Sequence, residues 1–165
     1  MEPNFEGLQL IAEIAVAIVG FSAILIALGR SSEVFSGPDN FRVQLLTYSA
    51  FGAMFGGLLP FGIFSINDAD LSWKIICWSI CLYSVIGLLI FPKRMLLLRA
   101  QGHKEIFPIK IFLFQTGLLA TIFIVSGLMI LGYIQTHANI YFGCLVLFLV
   151  QSTLAFIRTM FVRGG

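Results

Sequence analysis

The stretch that decides the fold is FGAMFGGLLPFG, residues 51–62. It places four glycines and one proline in an otherwise apolar run, although glycine costs roughly 1 kcal/mol and proline about 3 kcal/mol in the interior of an ordinary helix. Helices that cross a membrane tolerate such residues, because small side chains allow neighbouring helices to approach closely there. The stretch therefore indicates a transmembrane helix with close neighbours.

The composition of the whole chain also indicates a membrane protein. Of its 165 residues, 59% are hydrophobic and 11% are charged, and the mean hydropathy is +0.99. Soluble domains contain about a quarter charged residues. A helix needs about 20 apolar residues to cross the hydrocarbon of a bilayer, and five segments reach that length: 8–29, 43–66, 71–91, 110–133 and 138–157. We therefore predict an all-α, polytopic membrane protein, a bundle of five transmembrane helices that forms a single domain over residues 1–165.

These spans and their short connections use nearly the whole chain, so no soluble catalytic or nucleic-acid-binding domain is expected. His103 and His137 fall in predicted loops, and no Asp, Glu and His residues have the spacing of metal ligands. Cys77, Cys81 and Cys144 lie within spans and are interpreted as small apolar residues of the core, with a metal-binding pair of Cys77 and Cys81 as the alternative. We expect no cofactor, no metal and no enzymatic activity.

Basic residues predict the orientation, because cytoplasmic loops are enriched in Lys and Arg. Nine of the ten Lys and Arg residues flank the first and third loops or follow the last span, and only Lys74 falls on the other side. The amino terminus is therefore predicted outside and the carboxyl terminus in the cytoplasm. Trp73, Tyr133 and Tyr141 occupy positions typical of aromatic anchors at the outer interface.

A reporter fused after Gly165 tests this orientation. We expect activity only from a reporter that works in the cytoplasm, since nine basic residues lie on that side. The same reporters inserted between the second and third spans provide the control and should show the opposite pattern. A carboxyl-terminal reporter that works only outside the cytoplasm would contradict the orientation.

The longest polar segment, PKRMLLLRAQGHKEIFPIK at residues 92–110, is predicted to connect the third and fourth spans. Lys93, Arg94 and Arg99 alternate with apolar residues there, which has two interpretations. These charges either fix the topology alone, or they also bind anionic lipid at about 1 kcal/mol per basic residue.

Small residues in the second span predict a packing groove. Gly52 and Gly56 form a GxxxG pair, and Gly57 lies next to them. In the first span, Gly20 belongs to a face of small residues, and counting from the intervening loop places Gly20 level with Gly52. We therefore expect the first span to fill this groove.

Glu13 is an acidic residue within the first span, near the predicted depth of Pro60. Proline has no backbone N–H, so Pro60 leaves the carbonyl of Gly56 without its helical partner. A protonated Glu13 is expected to donate a hydrogen bond to that carbonyl. Two alternatives remain open: Glu13 lies about 8 Å inside the span and extends its carboxyl group to the outer surface, or it serves a proton or cation relay or an intersubunit contact.

The last two spans are joined by a connection so short that they must form an antiparallel hairpin. Gln115, Thr121 and Gln151 are polar residues within it. Counting from the connection places Thr121 level with Gln151, which predicts a hydrogen bond between them. The bond is interpreted first as a device that sets the helix register, with a ligand site as the alternative.

Two segments, AEIAVAIVGFSAILIALGR at 12–30 and RVQLLTYSAFGAMFGGLLPFG at 42–62, resemble small multi-span bacterial inner-membrane proteins that have no assigned activity. The resemblance covers roughly the first 90 residues. It implies a multi-pass protein of the cell inner membrane and no particular mechanism.

Two functions are compatible with these features. The chain is expected to lie in the lipid bilayer as a structural or accessory subunit, whose small-residue faces dock its own copies or a membrane-protein partner. The alternative is a small oligomeric ion channel or transporter with Glu13 on the pathway, since broken helices often mark the ion site of a transporter.

Overall fold

The computed structural model describes residues 3–29, 37–102, 108–134 and 137–161. These residues form five α-helices and no strand: α1 (Phe5–Gly29), α2 (Gly37–Phe64), α3 (Ala69–Ala100), α4 (Ile109–Ile130) and α5 (His137–Phe161). Each helix contains a window long and apolar enough to cross a membrane. The predicted all-α fold with five spans is confirmed, and the chain has the architecture of a multi-pass membrane protein.

Helices α2 and α5 lie at the centre of the bundle. Helix α2 packs against α1, α3 and α5, and α5 also contacts α1 and α4. The largest side chains that are fully buried include Tyr141 and Phe148 of α5 and Phe41 of α2. Helix α4 completes the bundle on the other side, where it packs against α3 and α5.

Helix α3 is longer than the sequence predicted. It continues through Pro92 to Ala100, whereas residue 92 was predicted to begin a connecting loop. Phe91, Met95 and Leu98 are buried at intervals of three or four residues, so the added turns have one face that packs against the bundle. At 1.5 Å per residue, the 32 residues of α3 extend about 48 Å, which exceeds the hydrocarbon thickness of about 30 Å.

Helices α1 and α2 approach each other closely at Gly57. A Cβ atom on Gly57 would lie 2.7 Å from the carbonyl oxygen of Leu8 and 3.2 Å from the Cβ of Ala12. Only a residue without a side chain fits this distance between two backbones. Gly57 therefore provides the small-residue contact between the first two helices.

The other glycines of the predicted groove face different helices. A Cβ on Gly52 would lie 2.7 Å from the ring of Tyr83 in α3, and a Cβ on Gly56 would contact Leu145 in α5. Gly20 of α1 has open space around it. The prediction that α1 fills the Gly52 and Gly56 groove was wrong, because successive residues lie about 100° apart around a helix and only Gly57 points towards α1.

Candidate functional site

Glu13 lies on the exposed surface of α1, about 12 Å along the helix from its first residue. Its Oε1 accepts a hydrogen bond of 2.8 Å from Nε2 of Gln9, one turn earlier. Leu10, Ile14 and Val16 around this pair are exposed apolar residues. The carboxyl and the amide therefore form a polar pair within an otherwise apolar helix surface.

The carbonyl of Gly56 has a different partner from the one predicted. The hydroxyl of Tyr141 in α5 donates a hydrogen bond of 2.7 Å to it, and Tyr141 is only 1% exposed. The predicted bond from Glu13 was wrong, because Gly56 faces α5 whereas Glu13 lies on the exposed surface of α1. A side chain does supply the hydrogen-bond donor that Pro60 removes, but it is Tyr141 and not Glu13.

Two of the three predicted interface anchors are buried. Trp73 packs edge to face against Tyr141, with ring centroids 6.0 Å apart, and both residues lie in the core. Only Tyr133 is highly exposed, as an anchor should be. An aromatic residue with a polar group can also belong inside a bundle when that group finds a partner, as the Tyr141 hydroxyl does.

An open groove of about 580 Å³ lies between α1 and α2 beside the polar pair. Glu13 and Ala17 line it from α1, and Leu58 and Phe61 line it from α2. Gly20, one turn beyond Ala17, is also exposed. We call the exposed residues Gln9, Glu13, Ala17 and Gly20 the α1 face, since their spacing places them on one side of the helix.

Gln115 of α4 and Gln151 of α5 lie at the wall of a second, much smaller cavity. Its volume is about 10 Å³, and Pro92 of α3 also lines it. Gln115 is 5% exposed and Gln151 is 0% exposed. Within the part of the chain that the structure describes, Oε1 of Gln115 and both amide atoms of Gln151 have no hydrogen-bond partner. We call this site the glutamine cavity.

Thr121 does not belong to the glutamine cavity. Its hydroxyl donates a hydrogen bond of 2.9 Å to the carbonyl of Gly117 in its own helix, and Thr121 is exposed. The predicted bond between Thr121 and Gln151 was therefore wrong. Counting from a loop estimates the depth of a residue along a helix, but it does not determine the direction in which its side chain points.

A pair of tyrosines that was not predicted from the sequence joins α2 to α3. The hydroxyl of Tyr83 donates a hydrogen bond of 2.6 Å to the carbonyl of Tyr48, and the hydroxyl of Tyr48 donates in return to the carbonyl of Tyr83. The two rings stack with centroids 4.3 Å apart. We call this arrangement the tyrosine clasp.

Glycines make room for both rings of the tyrosine clasp. A Cβ on Gly52 would lie 2.7 Å from the Tyr83 ring, and a Cβ on Gly87 would lie 2.9 Å from the Tyr48 ring. Each glycine stands four residues after a tyrosine of the clasp. The sequence contains the corresponding signal, since residues 48–52 read YSAFG and residues 83–87 read YSVIG.

The basic residues predicted to contact anionic lipid lie on the last turns of α3. Lys93 is exposed. Arg94 donates a hydrogen bond from its guanidinium group to Oε1 of Gln44 in α2, so it has a partner within the protein. Arg99 is half-buried on the same helix. Lipid binding at these three positions stays a prediction.

The two polar sites, the α1 face and the glutamine cavity, provide hydrogen-bond donors and acceptors. The three cysteines are buried free thiols. Among the residues placed by the structure, no group of three His, Cys, Asp or Glu side chains has the arrangement of a metal site. No family model, curated protein or solved structure matches this chain.

Proposed function

We propose that the chain is a structural or accessory subunit of a bacterial inner membrane that pairs with a second copy through the α1 face. Its amino terminus lies outside and its carboxyl terminus in the cytoplasm, as the distribution of basic residues indicates. The observation that carries the proposal is the hydrogen-bonded pair of Gln9 and Glu13 on an exposed, apolar helix surface.

Exposed polar groups at this depth favour a protein partner over lipid. Ionisable residues within membrane spans almost always face protein or a water-filled cavity, because hydrocarbon offers them no hydrogen bonds. Glu13 has one such bond, from Gln9 in its own helix. A carboxylate has two acceptor oxygens and a carboxamide has two N–H donors, so this internal bond leaves each side chain with capacity for a further partner.

A second copy of the chain can supply the further hydrogen-bond partners for Gln9 and Glu13. In a dimer with its two-fold axis along the membrane normal, each residue meets its own counterpart at the same depth. The bond within each helix already spans one turn, so the side chain of Gln9 in one copy can reach across the axis to Glu13 of the other copy, and the reverse bond forms by symmetry. Ala17 and Gly20 are small and exposed on the same face, which allows two α1 helices to approach closely.

Crosslinking at Gly20 tests the pairing directly. In a chain whose three native cysteines are replaced by alanine, we expect Gly20→Cys to form a disulfide-linked dimer in membranes. Leu113→Cys is the matched control, since Leu113 is 61% exposed on α4 and should stay monomeric. Equal crosslinking at both positions, or none at Gly20, would contradict a dimer through the α1 face.

Substitution of Glu13 tests the hydrogen bonds of that dimer. Two symmetric bonds at about 0.6 kcal/mol each predict that Glu13→Leu weakens dimerisation by about sevenfold. The amide of Glu13→Gln can still form hydrogen bonds, so this variant should dimerise like the wild type. Energy transfer between labelled copies in liposomes measures the dissociation constant. Thr121→Leu, which alters an exposed polar residue of α4, is the control and should leave it unchanged.

An ion channel or transporter is the second candidate, and the exposure of Glu13 favours it, because an assembly through α1 places this carboxyl group near the symmetry axis. Ion flux into liposomes separates the two functions. A subunit without conduction shows no flux in any variant. Flux that is present in the wild type and lost in a dimeric Glu13→Gln variant would support the channel instead.

A further inference from the structure

We infer that the glutamine cavity is a binding site for one water molecule, which forms hydrogen bonds to Gln115 of α4 and Gln151 of α5 beside Pro92 of α3. Nothing in the pairing of two chains through α1 requires this site, since it lies between other helices. The size of the cavity and the buried amide atoms of its two glutamines, which have no partner among the described residues, support such a site.

The size of the cavity matches one water. Its volume of about 10 Å³ is at the lower limit of the roughly 10 to 15 Å³ that a single water needs. Aromatic and aliphatic side chains, among them Phe41, Phe91 and Leu119, form most of the remaining wall, and Thr116 is its one other polar residue. The cavity is therefore too small for an organic ligand or for a chain of waters.

The three unpartnered amide atoms of the glutamines that line the cavity match the hydrogen-bonding capacity of water. Two of them, Oε1 of Gln115 and Oε1 of Gln151, are acceptors, and the third, Nε2 of Gln151, is a donor. One water can donate its two hydrogens to the two oxygens and accept one hydrogen from the nitrogen. Buried waters typically form about three such bonds to polar groups that otherwise lack a partner.

A cation fits the same atoms less well. The two amide oxygens would coordinate it, but the N–H group of Gln151 carries a partial positive charge and would point at the ion. None of the residues lining the cavity has a carboxylate to neutralise the charge. A neutral molecule that both donates and accepts satisfies all three atoms.

The first test detects the water by NMR on the full-length protein in detergent micelles, with glutamine side chains labelled with ¹⁵N. We expect magnetisation transfer between a long-lived water and the side-chain amide hydrogens of Gln151. Gln115→Met should abolish the transfer, because the water loses one of its three bonds. Leu119→Met, which changes the wall of the cavity and keeps both amides, is the control and should preserve it. Direct transfer between the two glutamine side chains, with none to water, would overturn the inference.

The second test is a double-mutant cycle that does not depend on NMR. Gln115→Met and Gln151→Met each leave at least one buried polar atom without its water, so each should shift the unfolding equilibrium constant by about fivefold or more towards the unfolded state. The double variant Gln115→Met with Gln151→Met removes all three polar atoms and should be no less stable than either single variant. Additive losses would overturn the inference.

Salt dependence distinguishes water from a cation in the same preparations. The melting temperature should be equal in sodium chloride and choline chloride at the same ionic strength. A sodium-specific increase in the wild type that is absent from Gln151→Met would assign a cation to the cavity and overturn the inference.

Discussion

Gly57→Ala is expected to lower the free energy of unfolding by about 1 to 3 kcal/mol, the usual range for overpacking. The added methyl group would lie 2.7 Å from the carbonyl oxygen of Leu8 and 3.2 Å from the Cβ of Ala12. The first of these atoms belongs to the backbone of α1, so no side-chain rotation relieves the contact. Helix α1 must move away from α2, and unfolding in a denaturing detergent measures the loss.

Three other glycines provide controls for this substitution. A Cβ on Gly62 of α2 or on Gly117 of α4 has no atom within 4 Å, so alanine there should be neutral or stabilising by up to about 1 kcal/mol through its helix propensity. The loss of unfolding free energy for Gly56→Ala should lie between these cases, because the added methyl group meets the flexible end of the Leu145 side chain. If Gly57→Ala unfolds like Gly62→Ala, the close approach of α1 and α2 at Gly57 does not exist.

Tyr141→Phe is expected to lower the free energy of unfolding by about 1 to 3 kcal/mol, the cost of leaving a buried polar group unsatisfied. It removes the hydroxyl that donates to the carbonyl of Gly56, and Pro60 provides no backbone donor in its place. Tyr133→Phe is the matched control, since Tyr133 is 79% exposed and its change should be silent. The same unfolding assay measures both variants.

Pro60→Ala provides a specific rescue for Tyr141→Phe. Alanine at position 60 restores the backbone N–H that an uninterrupted helix would direct at the carbonyl of Gly56. In this background, Tyr141→Phe should cost well under 1 kcal/mol, because the carbonyl keeps a partner. An equal cost of Tyr141→Phe in both backgrounds would show that the hydroxyl acts elsewhere.

The sequence predicted the number and class of the helices correctly because spanning a membrane depends on length and composition, which a single segment carries by itself. The end of α3 was missed for a related reason. Lys93 and Arg94 indicated the end of a span, but Met95 and Leu98 continue to pack against the bundle beyond them. A helix can continue beyond the hydrocarbon of the membrane where another helix packs against one of its faces.

Contacts between helices were predicted less well than the helices themselves. The small residues of α2 were correctly identified as packing residues, yet α3 and α5 occupy most of the groove assigned to α1. Such an assignment needs the rotation of each helix about its axis. Small residues alone do not determine that rotation, because they suit any neighbour.

At the candidate sites too, the residues were predicted better than their contacts. Glu13, Gln115 and Gln151 were identified as polar residues within spans, whereas the partners proposed for Glu13 and Gln151 were wrong. Tyr141 was assigned to the interface because aromatic residues are enriched there. Its burial in the bundle accompanies its hydrogen bond to the carbonyl of Gly56, and nothing in the sequence around Tyr141 indicates that its hydroxyl is the donor.

The tyrosine clasp restricts how this protein can move. Its two hydrogen bonds run in opposite directions between Tyr48 and Tyr83, so sliding α3 along α2 by a single residue, about 1.5 Å, strains both bonds at once and displaces each ring from its glycine. Helices α2 and α3 should therefore move together as one rigid unit. A conformational change in this protein is expected to move α1 or α4 against this unit of α2 and α3, and the unit itself should keep its shape.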